Sequence, residues 1–335
     1  MNSENLLYSI EVRGRFGYIN KSGTVVLGTK FDYGEDFDNG IAIVSLKDKY
    51  GYINEEGEVI IPIIYDDAFD FYEGLAAVET IGKKGFINIK GEFVIPAIFD
   101  EVGSFTHGLA PAKVGYQWGY IDKEGNMKIK PRYLDAFNFS DGLALVQSGG
   151  KLGYIDMSDN LIIDFRYDVA YSFSEGYAVV ERSGKFGYIN TIGNMAIQYI
   201  YDTANDFQED LAAVEIDGKY GFIDKAGIKK IENKYSFCEN FKDGKAVVAI
   251  QEQYGLIDKE GREIIKTEYD DIGIVSEGLI GVYINEKWGY INLSNNEIIE
   301  PIYEEAFEFQ GGLAKVIYEN KVCYIDKEGK FVWRY

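Results

Sequence analysis

A glycine followed by an aromatic residue, an isoleucine and then Asn or Asp returns every 34 residues along this chain, with neither insertion nor deletion between copies. The anchors are Gly17, Gly51, Gly85, Gly119, Gly153, Gly187, Gly221, Gly255 and Gly289, and Cys323 occupies the tenth register. A chain of this kind folds as units that bury their apolar faces against their neighbours, so the repeat, rather than the length, sets the domain count. Residues 1–335 are therefore read as one array, with partial units at residues 7–14 and 321–335.

Within the unit that starts at Gly51, Tyr50 to Asn54 alternates aromatic and apolar residues and reads as a strand. Asn54-Glu55-Glu56-Gly57 places Asx first and Gly fourth, which suits a type I turn with a bulge and therefore a β-hairpin. Asn or Asp fills that first place in every register, including Asn20, Asp122, Asp156, Asn292 and Asp326, where the side chain caps the turn amides. A second strand, Glu58 to Ile61, is expected to meet Pro62, which stops a ladder or marks an edge. Two rows of aromatics are expected to stack in the interior. One runs through Phe31, Tyr65, Phe99, Tyr133, Tyr167, Tyr201, Tyr235, Tyr269 and Tyr303, the other through Phe37, Phe71, Phe105, Phe139, Phe173, Phe207, Phe241 and Phe309. Gly74 and a third strand, Leu75 to Val78, close the unit, so three strands is the minimum count. The period also fits a helix-turn-helix repeat, but the glycines of every unit and the Asx-turn-Gly of most exclude long helices.

Leu7 to Val12 falls in the phase of the third strand, while Cys323 to Tyr335 supplies a first and a second, so the two ends together complete one unit. The expected fold is all-β, an open curved β-superhelix of about ten units. The alternative is a closed propeller-like ring in which the terminal strands complete one unit.

The stretches Gln117-Trp118-Gly119-Tyr120-Ile121-Asp122-Lys123-Glu124-Gly125 and Lys287-Trp288-Gly289-Tyr290-Ile291-Asn292 resemble the WG repeat, also called KWG, of bacterial proteins. The other registers carry the motif with Trp replaced, and it departs further at Lys84, Val322, Leu256 and Cys323. The resemblance covers the chain from about Leu7 to Tyr335 and implies an all-β repeat protein.

A net charge of −21 and a pI near 4.5 argue against nucleic acid and anionic membrane as partners, since both need clustered Lys and Arg. The first residues lack a basic, apolar leader and no 18-residue apolar run occurs, so a cytoplasmic setting is expected. Cys238 and Cys323 stand in different registers and suggest no disulfide framework or zinc site. Loop carboxylates recur, as at Asp66, Asp67, Asp70 and Glu73, but no register spaces them as a calcium loop does, and turn capping on an acidic face is the simpler reading. Basic residues two before the glycine, such as Arg15, Lys49 and Lys83, are expected to pair with these acids between neighbouring units.

The only histidine, His107, occupies a loop place filled elsewhere by acids. Identical repetition is the opposite of the asymmetric constellation that acid-base chemistry needs, so no catalytic residue, cofactor or metal is expected. The expected role is a scaffold that binds a protein or peptide partner on an acidic, aromatic-edged surface, with Trp118, Trp288, Tyr120 and Tyr290 as candidate contacts. Regular aromatic platforms could also stack on sugar rings, which leaves glycan binding as the alternative. Gly119, Ile121, Asp122, Gly289, Ile291 and Asn292 are assigned to construction: glycine for a tight backbone approach, isoleucine for the core, Asx for the turn.

Overall fold

A computed structural model describes residues 6–334; Tyr335, counted above in the last partial unit, and the first five residues of the chain lie outside them. Among the described residues the secondary structure is entirely β, in thirty-eight strands, and no helix is long and apolar enough to cross a membrane. The strands form ten antiparallel sheets of three or four strands, each a simple meander in chain order. We call them blades 1 to 10: residues 7–31, 33–65, 67–99, 101–133, 135–167, 177–201, 203–235, 237–269, 271–303 and 305–334.

Blade 3 shows the pattern, with strands Asp67–Tyr72, Leu75–Thr80, Lys83–Asn88 and Phe93–Phe99. The hairpin between its last two strands is the expected turn: Gly91 donates its N–H to the Asn88 carbonyl at 2.9 Å with φ +76°, and Asn88 Oδ1 accepts from Lys90 and Glu92. Proline does not end the outer strand. In blade 2 that strand runs from Val59 to Tyr65 through Pro62, and the pairing shifts register opposite Gly51. The strand bonds to only one neighbour, so the missing proline N–H breaks no ladder. The short inner strand, here Asp67–Tyr72, is the element that the sequence pattern left as a loop.

The cores lie between blades. Tyr and Ile of the motif are adjacent in a strand and therefore point to opposite faces. Tyr120 of blade 4 packs with Ala144, Val146 and Ile155 of blade 5, while Tyr154 of blade 5 packs with Ala178, Val180 and Ile189 of blade 6. In these seams the tyrosine faces the following blade and the isoleucine the preceding one. A blade sandwiched on both faces has no polar alternation in its middle strands, which explains runs such as Leu143-Ala144-Leu145-Val146. Both aromatic rows lie in or against these cores.

The contacts group the chain into two units. One comprises residues 1–66, 249–257 and 262–335, the other residues 67–248 and 258–261. Within the first unit the two ends of the chain meet. Tyr324 of blade 10 packs against Tyr8, Ile10 and Ile19 of blade 1, and its hydroxyl donates to the Ser9 carbonyl at 2.7 Å. Blade 1 therefore follows blade 10 as any blade follows its predecessor, the junction of the ends that the propeller-like alternative requires and an open superhelix lacks. One detail of the expected closure is corrected. Leu7–Val12 pairs with Arg15–Asn20 inside blade 1, and blade 10 is built from residues 305–334 alone, so no sheet is shared between the termini.

Candidate interaction surface

The motif residues assigned to construction sit where that role requires. A Cβ on Gly119 would stand 2.3 Å from the Ile129 carbonyl oxygen, and one on Gly289 would stand 2.6 Å from that of Ile299, so only glycine lets the outer strand bulge across it. Ile121 and Ile291 are buried. Asp122 Oδ1 accepts the N–H groups of Glu124 and Asn126, and Asn292 Oδ1 those of Ser294 and Asn296. Burial alone would raise the Asp122 carboxyl, but hydrogen bonds from Asn126 and Lys128 outweigh it and hold the group at about 2.

The candidate contact residues divide. Trp118 and Trp288 are half-buried at the blade edge, Trp118 beneath the Lys113 ammonium at 5.6 Å and Trp288 against the Tyr283 ring at 5.4 Å. Tyr120 and Tyr290 lie in the interior with 0% and 1% of their surface exposed, so neither presents a face to a partner. Their hydroxyls instead donate to carbonyls of the next blade, Tyr120 to Phe137 and Tyr290 to Phe307, each at 2.7 Å. Tyr18, Tyr154 and Tyr188 do the same to Glu35, Tyr171 and Asn205. Burial pushes all these phenols well above their ordinary range, so they remain protonated donors.

Most of the recurrent charges are also structural. The basic residue two before the glycine pairs with the acid 17 residues later, as in Lys83–Asp100, Lys151–Asp168 and Lys287–Glu304. Asp100, Asp168 and Glu304 each stand in the link just after the outer strand of the same blade, so each pair falls within one 34-residue unit, contrary to the expectation that such pairs join neighbours. A second set does link blades. Glu73 accepts the N–H of Gly108 and meets Lys123 at 3.0 Å, and Glu175, Glu209 and Glu277 repeat the clamp with Lys225, Lys259 and Lys327. Lysine hydrogen bonding lowers the Glu73 carboxyl first among its causes. Exposed pairs of this kind contribute at most about 1 kcal/mol each. His107 stands at the clamp register, so its place is that of a turn residue, with φ +53°. Among the described residues no group of three metal-ligating side chains occurs.

What stays exposed and apolar lies elsewhere. On the inner strands of blades 3 and 5 and in the segment that leads into blade 6, all in the second unit, Phe69, Phe137 and Tyr171 share one register with 39%, 42% and 48% of their surface exposed. Asp70 and Asp135 flank them. On the hairpin tips of blades 3 and 4, Ile81 and Tyr116 stand almost fully in solvent, and Ile81 does so at φ +54°, a conformation that β-branched residues avoid.

A family model described as "WG containing repeat" matches the chain nine times, at residues 16–50, 50–84, 85–117, 118–151, 153–186, 186–220, 220–251, 254–288 and 288–321. A search of curated proteins found no match. A solved structure titled "Crystal structure of the eukaryotic initiation factor" is similar over 88% of this chain and 95% of its own, at 11% identity and a TM-score of 0.58. Another, titled "Structure of Kluyveromyces lactis Hsv2p", is similar over 67% of this chain and 92% of its own, at 11% identity and a TM-score of 0.39. The first likeness concerns the fold alone, and the second is too slight to support an argument.

Proposed function

The chain belongs to the family of WG-repeat proteins, and from that premise we propose that it is a non-catalytic scaffold that binds a protein or peptide partner on an acidic, aromatic-edged surface. The observation that carries this reading is the exposed row Phe69, Phe137 and Tyr171. These rings are partly exposed at one register, where other units place Asn205 or Glu239 as well as Phe307, and exposed apolar surface marks contact sites. A net charge of −21 favours partners with basic segments and keeps nucleic acid and anionic membranes away. The reading includes a cytoplasmic location, which cell fractionation tests.

The test is capture of a partner by the full chain from source-cell lysate, compared with Phe137→Ser/Tyr171→Ser. The double variant should lose the captured protein while its melting curve stays within a few degrees of the parent. Capture that survives the double substitution removes these rings from the contact. Retention of glycans alone, abolished by the same substitutions, would replace the protein reading with carbohydrate binding.

A further inference from the structure

The outer edges of blades 5 and 6, both in the second unit, enclose an open groove of about 670 Å³. Blade 5 contributes Arg166, Tyr167 and Asp168 to it, and blade 6 contributes Glu181, Arg182, Asn194, Met195 and Tyr199. The groove holds two guanidinium groups in a chain with only 34 basic residues against 55 acidic ones. Its carboxylates are already engaged: Asp168 pairs with Lys151 at 2.6 Å, and Glu181 accepts the N–H of Gly184. Arg166 lies over the Tyr167 ring at 5.1 Å and donates to the Gly193 carbonyl at 3.0 Å. Among the described residues neither Arg166 nor Arg182 forms an ion pair, whereas Arg132, one register earlier, is bound to Asp159 at 2.7 Å.

The groove arises where the repeat is broken. The register of Arg182 carries Val12, Leu46, Thr80, Val114, Ser148, Ile216, Ile250, Ile284 and Tyr318 in the other units. Asp159, which neutralises Arg132, has Gly193 as its counterpart beside Arg166, and glycine is what most units place at that register. Tyr199 replaces Phe165 and adds a hydroxyl. Desolvation and then Tyr167 raise this phenol above its ordinary range, while Arg166 and Arg182, which line the same groove, lower it. Paired guanidinium forks beside a phenol and a thioether suit a planar or tetrahedral oxyanion borne on an apolar body.

We propose that the groove between blades 5 and 6 is a binding site for an oxyanion, carboxylate or phosphate, held between Arg166 and Arg182 with Tyr199 as the adjoining donor. The site goes beyond the scaffold reading and does not depend on it. Two sources could supply the group, an acidic peptide segment or a free small anion.

The test is calorimetric titration of the full chain with three probes: a capped Gly-Glu-Glu-Tyr peptide, its Gln-Gln counterpart and inorganic phosphate. Binding of the glutamate peptide but not the glutamine one assigns the group to a peptide, and binding of phosphate alone assigns it to a free anion. In either case Arg166→Ile/Arg182→Leu, which installs residues already used at these registers, should weaken binding at least tenfold. Gly193→Asp should do the same by supplying an internal carboxylate, and its backbone is tolerant, because Asp159 already occupies the equivalent turn at φ +66° where Gly193 has φ +78°. The proposal is overturned if no probe binds the parent chain, or if binding persists in both variants while their melting curves show them folded. Either result leaves partner capture through Phe137 and Tyr171 untouched, so the two readings fail separately.

Discussion

The seam between blades 4 and 5 and the seam between blades 5 and 6 share one interior and differ outside. In both, a motif tyrosine packs on alanine, valine and isoleucine of the next blade and donates its hydroxyl across the seam at 2.7 Å. At the outer edge the first seam places Arg132 between Asp159 and Tyr133, while the second offers Arg166 only a carbonyl and adds Arg182 where the first has Ser148. The repeat thus keeps the two interiors alike, while Arg182, Gly193 and Tyr199, in place of Ser148, Asp159 and Phe165, make the outer edge of the second a cationic groove. An array of this type varies its ligand without varying its fold.

The largest effects should fall on the shared interior. Ile155→Asp and Ile189→Asp each place a carboxylate in a seam where the wild-type side chain is fully buried, and each should lower unfolding free energy by roughly 4 kcal/mol or more. Denaturant titration should give equal losses, and a difference much above about 1 kcal/mol would break the claim that the two interiors are equivalent. Next come the hydroxyl pegs. Tyr120→Phe and Tyr154→Phe remove one donor each and leave the Phe137 and Tyr171 carbonyls without it, so each should cost about 1 kcal/mol, again equally.

Acid titration should separate the two seams modestly. Asp122 is held at about 2, below its ordinary 3.8, so it stabilises the fold above about pH 4 and loses that contribution as pH falls toward 2. Asp156, its counterpart, is also lowered, first by Asn160, but Ile162 stands where Asp122 has Lys128. Asp122→Asn should therefore flatten the acid limb of the stability curve more than Asp156→Asn does. Identical acid limbs would show that the Lys128 contact at 3.0 Å carries no weight. The smallest stability change is expected from moving the groove. Asp159→Gly/Ser148→Arg in blade 5 removes an exposed ion pair worth under about 1 kcal/mol, and should create a second oxyanion site, doubling the calorimetric stoichiometry. A stoichiometry that stays at one means that Tyr199, absent from the blade 4–5 seam, is indispensable.

The construction rule was legible because it depends on local contacts repeated ten times. Glycine under a bulge, Asx over a turn and isoleucine in a core each leave the same residue in the same register. The inner strand was less so, since Asp67–Tyr72 alternates weakly and carries two acids, which reads as loop until Leu75–Thr80 is there to pair with it. Tyr120 and Tyr290 read as contact residues in the sequence, and lie buried in the fold, for a related reason. A buried tyrosine and a surface tyrosine look alike in sequence, and what decides is an acceptor 17 residues ahead on another blade. Arg166 and Arg182 were overlooked because reading for the repeat averages them away. The signal was present as a single arginine in a column of mostly apolar residues.

The bond from Tyr324 to Ser9 spans 315 residues of sequence. Synthesis delivers Ser9 315 residues before Tyr324, so one face of blade 1 stays uncovered until blade 10 has been made. Inner seams can zip one after another during synthesis, each blade meeting its successor within seconds, but blade 1 spends that entire interval with Ile10 and Ile19 open to water. A nascent chain that still lacks blade 10 therefore leaves the apolar face of blade 1 uncovered.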